Sequence, residues 1–309
     1  MNGKQRRAGF FLLALTIFFF VTALTKIWPS DRYPGIALLS YVPSPILFAV
    51  GGLLVLFQKR GLKAGRVLAL ILVVVSAFFI ARENKHLFRS TKEIAGTSHT
   101  KIRILHWNVW QGTMGPEKIA KEMQEQHPDV ICLNEPRLDV TWQMPPYAKL
   151  MGNSWYEASH ANLLILSRFP IQKLEGFGWV GIQGMRVMIQ SSKPLYILLI
   201  DVRSSPLLFR TTILKALARN LKSWDPPPDI VTGDFNTPKG SYSFESLEKE
   251  YGEGYNIAGS GLAYTWVSWI PFMKIDFIFA RNPSSILKYQ DGYTILSDHR
   301  WQWMDYQLR

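Results

Sequence analysis

Cysteine is almost missing from this chain. Its 309 residues include one, Cys132, set within an apolar run. A single thiol excludes an internal disulfide and leaves the compartment open, and in that setting it reads as a buried structural group. Also lacking is an excess of positive charge in the larger part of the chain. The total is +12, but residues 101–309 hold 22 Lys/Arg against 20 Asp/Glu. The remaining +10 belongs to residues 1–100, with 13 Lys/Arg and 3 Asp/Glu. The basic footprint of a general nucleic-acid binder is therefore absent from residues 101–309. Internal repeats and low-complexity tracts are missing too. A hydrophobic content of 48% excludes a disordered chain.

Charge is also absent from three long apolar stretches, about residues 9–24, 36–57 and 67–81. Crossing a bilayer takes roughly 17–25 helical residues, so these predict three transmembrane helices in an anchor over residues 1–82. Pro43 and Pro45 are expected to kink the second or delay its start. A cleaved signal peptide is the competing reading of the first, with Lys4, Arg6 and Arg7 ahead of it, but two further apolar segments follow. Seven basic residues flank one side of this arrangement and six the other. The density of Lys59, Arg60, Lys63 and Arg66 in one short connection favours an inside amino terminus and an exoplasmic domain. Residues 83–100 read as a linker. The expectation is a multi-pass integral protein of a bacterial-type plasma membrane, in contact with lipids.

Residues 101–309 begin strand–helix–strand. An alternating run over 101–109 ends near Asn108, Pro116 opens a helix over 117–126, and a second strand over 130–133 ends at Glu135. Further strands are expected at 163–167, 186–190, 195–202, 263–267, 274–280, 284–290 and 300–308, with a helix over 207–224. The run Ile230-Val231 stops at Gly233 and is followed by Asp234 and Asn236. Residues two apart on an extended backbone face one side. Polar groups thus recur at strand ends: Asn108, Glu135, Asp234 with Asn236, Asp276, and Asp298 with His299. Each also has a plain reading, as turn former, surface charge, Asx turn or solvated loop. Asp276 is harder to dismiss. Flanked by Ile275, Phe277, Ile278 and Phe279, its carboxylate needs a partner if its strand is buried, and His299 is a candidate. Carboxylates, amides and one histidine without cysteine pairs suit an oxygen-coordinated Mg²⁺ or Mn²⁺.

The ordered set W-N-V-W (Trp107–Trp110), I-C-L-N-E-P (Ile131–Pro136), G-D-F-N-T-P (Gly233–Pro238), K-I-D-F-I-F (Lys274–Phe279) and S-D-H (Ser297–His299) resembles the endonuclease/exonuclease/phosphatase superfamily, in its membrane-anchored bacterial type. The resemblance covers residues 101 to 309. It implies an α+β, four-layer α-β-β-α sandwich and metal-dependent cleavage of a phosphoester. By the same resemblance, Glu135 would ligate the metal with Asn108 beside it and Asp298 lining the site. Asp234 and Asn236 would orient the attacking water and hold the phosphate, and His299 polarised by Asp276 would act as acid/base. The family usually carries a second histidine near the end of the strand over 195–202. Here that stretch reads I-D-V-R-S-S-P, so Arg203 or Arg186 would contact the substrate phosphate instead. The family's substrates range from nucleic acid to phospholipid-like esters, and fold does not choose among them. The apolar anchor and the near-neutral domain favour a lipid-linked phosphoester. A tethered or exported nuclease is one alternative and a non-catalytic binding module another. No protein partner is inferable.

Overall fold

The computed structural model describes residues 3–26, 30–57, 63–90, 101–136, 147–152, 154–205 and 207–308. At the amino-terminal end are helices α1 (Gly3–Leu24), α2 (Pro34–Ser40), α3 (Ser44–Phe57) and α4 (Lys63–Glu83). Two of them, α1 and α4, are long and apolar enough to cross a membrane. The expected second spanning helix, over 36–57, is broken at Tyr41–Pro43 into α2 and α3. Pro43 has no N–H to continue a helix from α2. The 14 residues of α3 reach about 21 Å, short of the roughly 30 Å hydrocarbon core. Three transmembrane helices are thus reduced to two of spanning length and one shorter apolar helix. Ser44 Oγ donates to Glu83 Oε1 at 2.7 Å, which sets α3 antiparallel to α4. Leu47 and Leu54 pack there with Ala69, Leu72 and Ala23.

Residues 83–90, expected to begin a linker, are instead attached to the domain that follows. Tyr264 Oη donates to Glu83 Oε2 at 2.7 Å. The backbone N–H of Ala263 donates to buried Asn84 Oδ1 at 2.8 Å, and Arg89 donates to the carbonyl of Ile257 at 2.7 Å. Residues 91–100 lie outside the described residues.

The domain runs β1 (Lys101–Asn108), α5 (Pro116–Glu125), β2 (Val130–Asn134), α6 (Tyr147–Leu150), β3 (Tyr156–His160), β4 (Leu163–Ser167), β5 (Ile171–Trp179), β6 (Ile182–Gln190) and β7 (Pro194–Val202). It continues with α7 (Arg210–Ser223), β8 (Ile230–Asp234), α8 (Glu245–Glu248), β9 (Gly252–Glu253), α9 (Gly254–Ala258), β10 (Asp276–Ala280), β11 (Ile286–Gly292) and β12 (Trp301–Gln307). Two six-stranded sheets result, ordered β11-β12-β1-β2-β4-β3 and β5-β6-β7-β8-β10-β9. Each is mixed. The parallel pairs, β1/β2 and β7/β8, are the ones joined by helical crossovers, α5 and α7.

Alternating side chains sort these strands into layers. Val130 and Cys132 face inward with Ile104, Ile165, Ile197 and Leu199 to form the core between the sheets. Ile131 and Leu133 face outward onto Ile119, Ala120 and Met123 of α5. On the other sheet Leu198, Ile200 and Val231 meet Ile213, Leu214 and Leu217 of α7. Helix, sheet, sheet, helix is the four-layer sandwich expected. Cys132 is buried and its thiol is pushed up by that burial, as a structural thiol should be. The expected strand over 263–267 does not form. Those residues make a loop in which Trp266 bridges to Met273 and His299. Strands β3 and β5 carry mostly exposed residues and left no apolar alternation to read.

The end of β8 is fixed by two neighbours in sequence. Gly233 has φ +147°, and a Cβ there would lie 2.0 Å from the carbonyl oxygen of Ile200; only glycine lets β8 lie this close to β7. Phe235 is fully buried, its ring 5.4 to 5.5 Å from those of Phe244, Phe277 and Phe279. It anchors the loop inward while Asp234 and Asn236 face outward. Phe235→Ala should cost about 3–5 kcal/mol, measured as a lowered urea midpoint of the full chain. An unchanged midpoint would contradict this anchoring role.

Candidate active site

Strands β1, β2, β7 and β8 end at one edge of the sandwich, where β10 begins and the loop into β12 passes. Asp276 opens β10 and lies opposite Asp234 in the antiparallel β8/β10 register. Asp201 lies opposite Asp234 in the parallel β7/β8 register. The S-D-H loop is pinned over the end of β1. Ser297 Oγ donates to the carbonyl of Asn108 at 2.7 Å, and Trp107 Nε1 donates to that of His299 at 3.0 Å. The topology thus gathers residues from positions 108 to 299.

His299 Nδ1 donates to Asp276 Oδ2 at 2.8 Å. Its Nε2 lies 3.8 Å from Asp234 Oδ2 and 4.0 Å from Asp298 Oδ1. Burial alone would lower His299; the charge and hydrogen bond of Asp276, then Asp234 and Asp298, override it and push the imidazole up to about 10. Asp276 answers in kind. Burial would raise it, yet charged His299 holds it below the ordinary carboxylate range. Asp234 moves the other way, raised well above that range by burial and by repulsion from Asp276. Asp201 is pushed up to about 6 by burial, against the Gln183 Nε2 hydrogen bond of 2.8 Å that it accepts.

Asn108 is brought to the site as a bridge. Its Nδ2 donates to Glu135 Oε1 and to Asp234 Oδ2, each at 3.1 Å, while its Oδ1 accepts from the Trp110 N–H. Asn236 Nδ2 donates to the carbonyl of Val202 at 2.7 Å, and its backbone N–H donates to Asp234 Oδ1. Trp110, Glu135 and Asn236 all have positive φ, at 47°, 51° and 46°. Such conformations cost about 1–3 kcal/mol each and cluster where side chains must be aimed. Glu135, Asp234, Asn236, Asp298 and His299 line one cleft of about 750 Å³.

The two arginines expected at the phosphate are not in that cleft. Arg186 is buried on β6, where Nη2 donates to the carbonyl of Pro226 at 2.6 Å and the guanidinium lies over the Trp224 ring. It belongs to the scaffold, because its charge is spent on a carbonyl near the start of β8. Arg203 is exposed beyond the end of β7. Arg210, which the sequence reading passed over, lines the cleft instead. It is 1% exposed, and its Nε donates to the carbonyl of Asn236 at 3.2 Å. Its place at the start of an amphipathic helix disguised it. His106 was passed over as well. Fully buried and lowered to about 4 by burial, it accepts from Gln302 and donates to Asn134 Oδ1 at 2.9 Å. Asn134 in turn donates to the carbonyl of Ile200, so this neutral chain ties the two sheets together beneath the cleft.

The donor set can be tested against a divalent cation. Glu135, Asp234 and Asp298 line the cleft, and the cations lining it are Arg210 and His299. Asp276 Oδ1 and Asp298 Oδ1 are buried with no hydrogen-bond partner. Asp234, Asp276 and His299 crowd one polar atom each within 4.8 Å, but His299 and Asp276 are spent on each other, which leaves Glu135, Asp234 and Asp298 as the carboxylates facing the cleft. Unspent, crowded carboxylate oxygens fit a hard cation such as Mg²⁺ or Mn²⁺.

The model of the endonuclease/exonuclease/phosphatase family matches residues 105–299. The chain belongs to this family. Family members hydrolyse phosphoester bonds, typically with divalent metals. Among solved structures, the chain is similar in fold to an endonuclease/exonuclease/phosphatase family protein from Bacteroides thetaiotaomicron (13% identity, 68% of this chain and 99% of that one, TM-score 0.54). It is similar to an AP endonuclease from Archaeoglobus fulgidus (13% identity, 67% and 100%, TM-score 0.54). A 3′ phosphatase from Neisseria, bound to a product DNA hairpin, is alike to a similar degree (14% identity, 67% and 100%, TM-score 0.52). A search of curated proteins finds no match.

The His299–Asp276 pair gives stability a pH dependence of definite sign. The folded imidazole titrates near 10 and the unfolded one near 6.5. Its contribution is therefore complete below pH ~6.5 and lost as pH rises towards ~10. Urea midpoints measured across that window should fall with pH, and Asp276→Asn should remove the His299 part of the slope. A wild-type profile identical to that of Asp276→Asn would count against the pair.

Proposed function

We propose that the chain is a membrane-anchored, metal-dependent phosphohydrolase cleaving a lipid-linked phosphoester or phosphodiester at the bilayer surface. The observation that carries the hydrolase reading is the convergence of Asp276–His299, Asp234, Glu135 and Asp298 on one cleft. Glu135 and Asp298, with Asn108 holding Glu135 in place, form the cation-binding side. When bound, the cation neutralises phosphate charge and eases ionisation of the attacking water. Asp234, oriented by Asn108 and by the Asn236 N–H, accepts a proton from that water; a raised carboxyl suits a base. The water oxygen bonds to phosphorus and the P–O bond to the leaving group breaks. His299 Nε2–H gives its proton to the departing oxygen, and the proton held by Asp234 returns across 3.8 Å to Nε2. Arg210 and the Asn236 side chain hold the phosphate, and exposed Arg203 is left as a rim contact.

The membrane part of the reading rests on α1 and α4, which are long and apolar enough to cross. The two helices end beside each other on the domain side, where Lys26 lies close enough to Glu83 to feel its charge. With the basic connection over 58–66 held inside, α1 and α4 both run outward, the shorter α3, antiparallel to α4, carries the chain back between them, and the domain lies on the exoplasmic face. A reporter fused after Arg309 should be active only when exported, and cytoplasmic activity would reverse the orientation.

The nuclease reading is favoured by one finding, that two of the similar structures are an AP endonuclease and a phosphatase bound to DNA. Turnover by the full chain of DNA, RNA, bis(p-nitrophenyl) phosphate and a lipid diphosphate separates the two. The lipid phosphate should turn over fastest, and His299→Ala should lower kcat by about 10²–10⁴-fold. Preferential cleavage of DNA would replace the lipid reading with a tethered nuclease. A His299→Ala protein as active as wild type would refute the assigned chemistry.

A further inference from the structure

One wall of the cleft does not come from the catalytic domain. Leu38 of α2, Val42 and Pro43 of the turn after it, and Ile46 of α3 line the same space as Asp234 and His299. These apolar residues flank the break between the helices, which thus turns an apolar side towards the cleft. Leu38 is 48% exposed and Ile46 38%. Facing them across the cleft are Trp266 and Ile275, and the loop after Trp266 exposes Trp269 and Ile270.

This wall is held in place. The Ser243 N–H donates to Asp31 Oδ2 at 3.1 Å, and Thr211 Oγ1 donates to the carbonyl of Asp31 at 2.9 Å. Asp31 is buried just ahead of α2, and Glu83 and Asn84 fasten the end of α4 as described. The helical segment is thus clamped to the domain at Asp31, ahead of α2, and at Glu83 and Asn84, at the end of α4, by hydrogen bonds in buried or half-buried places. A phosphate-handling centre therefore opens directly onto an apolar surface. A nucleic-acid strand leaving the same centre would meet aliphatic side chains where its own backbone needs cations.

We propose that the α2–α3 segment is a specificity element: it binds the hydrocarbon chain of an amphiphilic phosphoester whose phosphate sits at Asp234 and His299. The chain lies between Leu38, Val42 and Ile46 on one side and Trp266 and Ile275 on the other. The occupant is a substrate chain because the surface is continuous with the phosphate centre and is contributed by helices packed against α1 and α4, the two of membrane-spanning length. The proposal rests on the phosphoester-hydrolase reading and adds the residues that select the substrate.

The test is a chain-length series on the full-length protein in mixed micelles at fixed surface concentration: alkyl p-nitrophenyl phosphates with ethyl, octyl and hexadecyl chains. In the wild-type protein kcat/KM should rise by about tenfold or more from ethyl to hexadecyl, since each methylene adds binding in an apolar site. In L38S/I46S, changes at two partly exposed positions, that ratio should collapse towards one. A flat series in the wild type, with every ester hydrolysed, would overturn this inference and leave the hydrolase reading standing. A steep series unaltered in L38S/I46S would overturn the assignment to α2–α3. Failure to hydrolyse any ester would overturn the hydrolase reading, and this one with it.

Discussion

A buried carboxylate must be neutralised or paired, and at the edge of this sandwich that requirement falls on Asp276 and His299. Asp276 sits in a fully buried strand, where an unpaired charge is costly. The His299 imidazolium at 2.8 Å meets the requirement. Meeting it fixes the loop before β12, which is further tied by Ser297 to Asn108 and by Trp266 to Asp298. Once that loop is fixed, Nε2 of His299 has one direction left, towards Asp234 and Asp298. Asp234 is raised by its burial and by repulsion from Asp276, and His299, 3.8 Å away, offsets this only in part. A pair that is satisfied thus stands beside carboxylates that are not, and the proposed cation binding and proton transfer rest on this asymmetry.

Much of this was legible from residue order. The run ending at Asn108 reads as a strand by its alternation and those ending at Glu135 and Asp234 as short apolar runs, and Asp276 demands a partner because of what flanks it. Less legible were features whose signal lies in three dimensions. Strand β5, reading I-Q-K-L-E-G-F-G-W, is exposed and follows no alternation, so its place at a sheet edge left no trace in the pattern. Arg186 is expected at the phosphate only for its charge, in place of the missing histidine, yet its strand carries it to the carbonyl of Pro226. Arg210 reaches the cleft because α7 starts against the loop after β8, a contact that no spacing announces. Asn108, expected beside Glu135 at the metal, donates its amide to both Glu135 and Asp234, a bridge that residue order alone does not show.

The amino-terminal helices were read by hydropathy as a tether, and hydropathy alone overstated one of them. Proline at 43 divides the second apolar run, and the break is what turns Val42 and Ile46 towards the cleft rather than continuing a spanning rod. The same residues that shorten the helix give the phosphate centre an apolar neighbour. Buried Asp31 and Asn84, each hydrogen-bonded to the domain, hold the helices against it.

Central to this account is that the unspent carboxylates around Asp234 exist to hold a divalent cation. Titrating the full-length protein with Mn²⁺ while following the free-ion electron paramagnetic resonance signal tests that directly. The account predicts saturable binding that is lost in Glu135→Gln and displaced by Mg²⁺. Absence of bound ion, or binding indifferent to Glu135→Gln, would contradict it.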